Sequence, residues 1–406
     1  MSSFENKKIC IVGKGISGKG AFALATEIGA RPYYYDGKFD SPDLIVVSPG
    51  VTDKKVFDYA ADNDVSVIGE LEFAYKCDCA KNIIAVTGTN GKTTTTELIG
   101  RVMACDGQKV EVCGNIGIAY SSRCLMNHDV TALEVSSFQL MTVKDFSPHI
   151  AIITNISPDH IDVHGSYQNY IEAKLKICKN QTAKDFLIVD KSVLSLIKPS
   201  VRAHIAVIGE DVFAHGNNII AFGRNVAQIS EINLDGVFLT DALFAVAAAK
   251  LCGTTDDAVK NALKTFVPPS HRLENLGKFG GKTYYDDSKG TNIGATLAAC
   301  SCMKEETVLI AGGSYKGYGY EDLIKNLPPK IKYVVAFGAV REMVNSAAKS
   351  NGYNNIIVCE HLPQAVAVCK NLDVKNVLLS PASASFDDYS GYDKRGEHFK
   401  RLISEG

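Results

Sequence analysis

The sequence predicts an α/β protein built from three doubly wound domains, and three observations carry that prediction. Short β-rich apolar runs alternate with helical patterns almost from end to end, as they do when parallel strands are covered by helices. Two strand-to-helix junctions are glycine loops, "GKGISG" at 13–18 and "GTNGKT" at 88–93. The chain is 406 residues long and carries more strand-like runs than one sheet or one core accommodates.

Taken in order, "KICIVG", "RPYYYD", "DLIVVSPG" and "VSVIGE" read as the strands of a first domain, 1–80, which ends at the charged "YKCDCAKN". "NIIAVTG", "KVEVCG", "TALEVSS" and "HIAIITNIS" belong to a second domain, 81–268. Within it, residues 183 to 235 ("FLIVD", "HIAVIG", "NIIAFG") are β-rich without a clear helical period and are expected to form a small antiparallel flap. The paired prolines of "TFVPPSHRLE", 265–274, stop a helix and open a third domain, 269–406. Its strands are "KTYYDDS", "TVLIAGG", "KYVVAFG", "NIIVCE" and "NVLLSP".

Composition narrows the function. With 46% hydrophobic and 22% charged residues the chain reads as globular and soluble. Forty-three basic against 45 acidic side chains leave a net charge of −2, so no basic field invites nucleic acid or an anionic membrane. The start, "MSSFENKKICIVG", reads as a strand and not as a leader peptide. No apolar run approaches the ~18 residues that span a bilayer. Twelve cysteines without a C-x-x-C pair are expected as free thiols in a reducing cytoplasm.

The two glycine loops point to two phosphate ligands. Gly13, Gly15 and Gly18 follow a strand and open a helix, and Asp36 ends the next strand. This is the dinucleotide fingerprint, in which a backbone without Cβ atoms approaches a diphosphate at a helix N-terminus. A tight βα turn that needs glycine only for packing would read the same way. "GTNGKT" is more specific. Gly88 and Gly91 let amides face phosphate, Lys92 would reach the terminal phosphates, and the Thr93 hydroxyl would meet Mg²⁺. The loop is shorter than the usual eight-residue form, since Val86 stands where that form has its first glycine. A hydride-transfer enzyme has no use for the second loop and an ATP-driven switch none for the first. An enzyme that energises a nucleotide-linked substrate needs both.

Chemistry clusters downstream of the second loop. Glu134 and Ser136 end the apolar strand of "TALEVSSFQL", and a carboxylate at such a strand tip is placed to hold Mg²⁺. In "TNISPDH" a strand ends at Asn155, and Asp159 and His160 follow in a loop, where a histidine is a better ligand candidate than one on an apolar face. Tyr167, Tyr170, Ile171, Leu175 and Cys178 then form an apolar stripe at helical spacing with Lys174 at its centre. A lysine on a buried face is costly unless paired or modified; snorkelling at the stripe's edge is the bland alternative.

These segments, with "GNIG" (114–117), "AK" (173–174), "SHRLE", "DDSKGTN" (286–292) and "SPASASFDDYSGYDKRG" (380–396), resemble the Mur ligases, in order and over nearly the whole chain. The last segment is most similar to the branch that adds D-glutamate. The resemblance implies a Rossmann-like N-terminal domain, a P-loop ATPase centre and a Rossmann-like C-terminal domain. It implies a cytoplasmic, monomeric ligase acting on UDP-N-acetylmuramoyl-L-alanine, D-glutamate and ATP, with two Mg²⁺ ions. By the same resemblance Gly15, Ser17, Asp36, Ser48, Gly50, Asn115 and Ser136 would hold the uridine diphosphate substrate. Gly88, Asn90, Gly91, Lys92, Thr93, Thr94, Arg272, Asp287 and Lys289 would hold ATP. Thr291, Lys316, Ser385, Phe386 and Tyr392 would surround D-glutamate. Thr93, Glu134, His160 and Lys174 would be metal ligands, Lys174 as a carbamate formed from CO₂, and Lys92, Glu134, His160 and Lys174 would carry the catalysis.

One segment departs from the family. Where its members carry an "HNxxN" pattern on the adenine side of ATP, this chain has "VFLTD" (237–241), with Phe238 and Asp241 in place of the two asparagines. Looser selection of the base is expected. Rival functions are a sister Mur or folylpolyglutamate-type ligase with another amino acid, a nicotinamide-dependent dehydrogenase that would leave "GTNGKT" idle, and an ATP-binding switch that would leave "DDSKGTN" idle.

Overall fold

The computed structural model describes residues 4–232, 234 and 236–404. It holds three sheets. The first has β1 (Lys8–Val12), β2 (Arg31–Tyr34), β3 (Leu44–Val47) and β4 (Ser66–Gly69), all parallel in the order β2-β1-β3-β4. The second has β5 (Asn82–Thr87), β6 (Val110–Gly114), β7 (Val130–Glu134), β8 (Ile150–Ile153), β9 (Phe186–Asp190), β10 (His204–Ile208), β11 (Val212–His215), β12 (Asn218–Ala221) and β13 (Arg224–Gln228). Its order is β13-β12-β11-β10-β9-β8-β5-β7-β6. The third has β14 (Glu274–Phe279), β15 (Lys282–Asp286), β16 (Thr307–Gly312), β17 (Ile331–Phe337), β18 (Ile356–Val358) and β19 (Asn376–Leu379), ordered β14-β15-β19-β16-β17-β18. Every strand run quoted from the sequence lies on one of these strands. The reason is burial on both faces: β3, β7, β8, β16 and β19 are buried at every position, as parallel strands under helices must be.

The antiparallel flap is present but smaller than expected. β9 pairs in parallel with β8 and β10 with β9, so "FLIVD" and "HIAVIG" extend the main sheet. Only β11, β12 and β13 run antiparallel. The β9–β10 crossover contains a helix of four residues, Lys191–Leu194, too short to show a period in the sequence. β14 was not expected either. None of its six residues is buried, and it is held by antiparallel pairing to β15.

The chain divides into two compact units. One contains the first two sheets; the other contains the third sheet together with Ser157–Tyr167. Inside the first unit the short helix Glu70–Tyr75 ties the two sheets together. The buried Glu72 carboxylate accepts the backbone N–H groups of Lys144, Asp145 and Phe146 at 3.0–3.1 Å and pairs with Lys76. Glu70, also buried, accepts the Ser121 amide and hydroxyl.

Candidate active site

In the first unit the carboxyl ends of β2, β1 and β3 bring the first group of expected residues to one edge. Gly13 and Gly15 follow β1, Asp36 follows β2, and Ser48 and Gly50 follow β3. Gly13 has φ +109°, and a Cβ there would collide with Ser48, so the glycine is required by close approach. Gly15 caps the helix Ile16–Glu27, with Ser17 in its first turn. Asp36 lies in a cleft of about 500 Å³ lined also by Arg31, Tyr33, Tyr34 and Lys38.

The second loop turns from β5 into the helix Lys92–Cys105. Gly88 (φ +149°) and Gly91 (φ +84°) hold backbone conformations that L side chains rarely adopt. A Cβ on Gly88 would strike Thr154, and one on Gly91 would strike the Asp241 carboxylate. Thr154 and Asn155 buttress the loop from β8. The Thr154 hydroxyl and Asn155 side-chain amide donate to the Asn90 carbonyl, and the Asn155 side-chain oxygen accepts the Asn90 N–H. Thr94 is fully buried behind the loop.

Two lysines converge here. Lys92 donates to the carbonyls of Gly88 (3.0 Å) and Thr89 (2.9 Å). Lys174, only 1% exposed on the helix Tyr167–Leu175, donates to the same Gly88 carbonyl at 2.6 Å and lies 4.6 Å from the centre of the Tyr170 ring. The snorkelling alternative therefore fails: the ammonium turns inward to the phosphate loop.

Glu134 ends β7 opposite Val86 of β5, two residues before Gly88. It is 2% exposed. Asn115 donates to its Oε1 at 2.8 Å, while Oε2 is buried without a hydrogen-bond partner. Asn115 thus orients this carboxylate. Ser136 caps the helix Ser137–Leu140 in a capping box with Gln139, so its hydroxyl already has a local role.

In the second unit the candidates sit on the loops that end β15, β16 and β19. Asp287 is buried. It accepts from the Ser380 hydroxyl and the Leu273 amide, and burial pushes its carboxyl up to about 7 against these bonds and the pull of Arg272. Lys289 lies 5.6 Å from the centre of the Tyr392 ring. Lys316 donates to the Thr291 carbonyl and pairs with Asp159 at 2.6 Å. Burial would raise the Asp159 carboxyl, but Lys316, His160 and their hydrogen bonds together hold it below the usual carboxylate range. His160, beside it, has a left-handed backbone, φ 52°. Ser385 is buried, whereas Phe386 is 74% exposed at the loop tip. The sequence reading missed the Thr154–Asn155 buttress as loop support and the Lys316–Asp159 pair. "TN" next to a phosphate loop was the available signal for the first; the second links residues 157 positions apart and has none.

The first unit thus holds a glycine loop with two lysine side chains and a buried carboxylate with an open oxygen, and the second a set of loops carrying Lys289 and Lys316. Comparison with known proteins agrees. Residues 86–231 match the Mur ligase middle domain. UDP-N-acetylmuramoylalanine--D-glutamate ligases from Thermoanaerobacter pseudethanolicus (33% identical, 99% of both chains) and Pelotomaculum thermopropionicum (35%, 99% of this chain and 98% of that one) are similar throughout. Among solved structures, a pseudomurein peptide ligase type C from Methanothermus fervidus has TM-score 0.64 at 17% identity, covering 98% of this chain and all of that one. UDP-N-acetylmuramate-alanine ligase from Thermotoga maritima has TM-score 0.62 at 19%, with the same coverage. Similarity of this extent over the whole length, joined to the phosphate loop and its buried glutamate, shows that the chain belongs to the Mur ligases, the ATP-dependent ligases of peptidoglycan precursor synthesis.

Proposed function

We propose that this ligase joins D-glutamate to UDP-N-acetylmuramoyl-L-alanine. The two glycine loops then have separate tasks: the first holds the uridine diphosphate handle, the second the ATP that activates the handle's far end. The substrate carboxylate would attack the γ-phosphorus, forming an acyl C–O–P bond and releasing ADP. The amine of D-glutamate would then attack the acyl carbon, pass through a tetrahedral intermediate, lose a proton and expel phosphate. Lys92 would leave its loop carbonyls to meet the negative charge that develops in both steps. Lys316, Thr291 and Ser385 would orient the amino acid. Closure that excludes water would protect the acyl phosphate.

The observation that carries the reading is Glu134, whose buried Oε2 lacks a partner beside a phosphate loop. A buried unpaired carboxylate oxygen is expensive, and hard oxygen donors suit Mg²⁺. Glu134 and Thr93 would hold one ion and Lys174, as a carbamate, would help hold a second; bound there, the ions would neutralise phosphate charge. Burial of Lys174 supports the carbamate, which forms when the neutral amine adds CO₂ and loses a proton. Its competitor is the ammonium that donates to Gly88. Twelve free cysteines fit a reducing cytoplasm; among the described residues no helix is long and apolar enough to cross a membrane.

Phosphate release by the purified protein tests this. It should require ATP, Mg²⁺, UDP-N-acetylmuramoyl-L-alanine and D-glutamate together; equal release with L-glutamate or L-lysine would sink the D-glutamate assignment. GTP should support some turnover, because Phe238 offers a base no hydrogen bond. A loss in kcat/KM above ~10³-fold would show that other residues read the base.

A further inference from the structure

The "RG" that ends the last motif has no role so far. Arg395 is 0% exposed on the helix Tyr392–Ser404. Its hydrogen bonds go to one hydroxyl and to backbone carbonyls on three loops. Nε donates to Ser288 Oγ (3.0 Å) and an Nη to the Ser288 carbonyl (2.9 Å). Both Nη groups donate to the Ser383 carbonyl (3.2 Å), and one reaches those of Ala384 (3.1 Å) and Gly312 (3.5 Å). β15, β19 and β16 are neighbours in the sheet, and these are the loops that leave them. The first carries Asp287, Lys289 and Thr291, the second Ser385 and Phe386, the third Lys316. Only a planar guanidinium with five donors satisfies acceptors in three directions at once. Burial pulls its pKa down to about 10, which leaves it a cation at neutral pH. Gly396 completes the arrangement: a Cβ there would collide with His271, which is bonded to Asp286 at 2.6 Å, so the glycine lets the helix approach.

We infer that Arg395 is a positioning residue that sets the spacing between the nucleotide-side residues 287–289 and the amino-acid loop at 383–386, and so couples the two subsites. This rests on the reading that those loops serve ATP and the incoming amino acid. Arg395 touches no reacting atom. It acts through the carbonyls next to Lys289 and Ser385. Losing it would free the loops to move independently, and a change on one would be felt at the other.

Arg395→Lys keeps the charge but has three donors on one nitrogen, and Ser288→Ala removes the Nε anchor together with the bond that the Ser288 hydroxyl donates to the Tyr392 carbonyl. KM values for each substrate are measured on both, using the amino acid that the wild-type enzyme turns over. A wrong D-glutamate assignment therefore appears in the wild type, and a failed clamp only in the variants. Arg395→Lys should raise KM for the amino acid about tenfold and KM for ATP several-fold, with KM for the uridine diphosphate substrate within about twofold. Ser288→Ala, although on the nucleotide-side loop, should raise the amino-acid KM about threefold. Unchanged KM values in Ser288→Ala, with only kcat or Tm lowered, would overturn the inference even if Arg395→Lys fails to fold.

Discussion

Glu72 and Glu134 are buried carboxylates in the same unit, and their surroundings differ in one respect. Glu72 takes three consecutive backbone amides and the Lys76 ammonium, which leaves its lone pairs used. Glu134 takes one hydrogen bond, from Asn115, and keeps its second oxygen buried and unpartnered. A saturated buried anion stabilises the fold that saturates it. A half-saturated one costs stability and has capacity left for a ligand. The contrast teaches that burial of charge alone says little about role; the count of remaining lone pairs says more.

The comparison can be broken most sharply at Glu134. Glu134→Gln preserves shape and the Asn115 contact through its oxygen but removes the anion. We expect kcat to fall about 10³-fold, or roughly 4 kcal/mol of barrier, with Tm nearly unchanged or raised; a lowered Tm with normal kcat would reverse the assignment. Next is Lys174. If it serves as a carbamate, Lys174→Arg and Lys174→Ala should each lose about 10²-fold in kcat, because arginine cannot take up CO₂. Near-normal activity in the arginine variant would favour the ammonium that bonds Gly88. At Glu72 the expected loss is in stability. Glu72→Ala should cost about 2–3 kcal/mol, from hydrogen bonds to a charged acceptor, read as a lower urea midpoint, with the kcat of folded protein preserved.

Asp287 sharpens the same point through pH. Its folded-state pKa lies above its unfolded value, so the unfolded chain binds fewer protons between about 4 and 7. The stability it contributes is complete below about pH 4 and is lost as pH rises through about 7. Relaxation around the ionised form should reduce the effect to about 1–2 kcal/mol. Urea midpoints of Asp287→Asn should lack this part of the pH slope; an identical slope would show that the carboxyl is already ionised.

Much of this was legible in the sequence. Strands buried on both faces announce themselves as continuous apolar runs, and the two glycine loops and the buried Lys174 follow from local spacing alone. What escaped depends on tertiary pairing. β14 exposes most of its side chains and exists because β15 offers it a ladder. Asp241 stands against Gly91 and Arg395 against three loops, contacts that span 11 to 150 positions in the chain and leave no periodic trace. Glu134 was legible as a strand-tip acid, but its unpaired oxygen was not, because that depends on which neighbours fail to arrive.

The central claim is that the open oxygen of Glu134 belongs to a divalent cation that the reaction needs. Phosphate release by wild type and Glu134→Gln, titrated with Mg²⁺ at saturating ATP, UDP-N-acetylmuramoyl-L-alanine and D-glutamate, tests it most directly. We predict that the variant needs at least about tenfold more Mg²⁺ for half-maximal rate, besides its lower kcat. Superimposable Mg²⁺ curves after scaling for kcat would contradict the account.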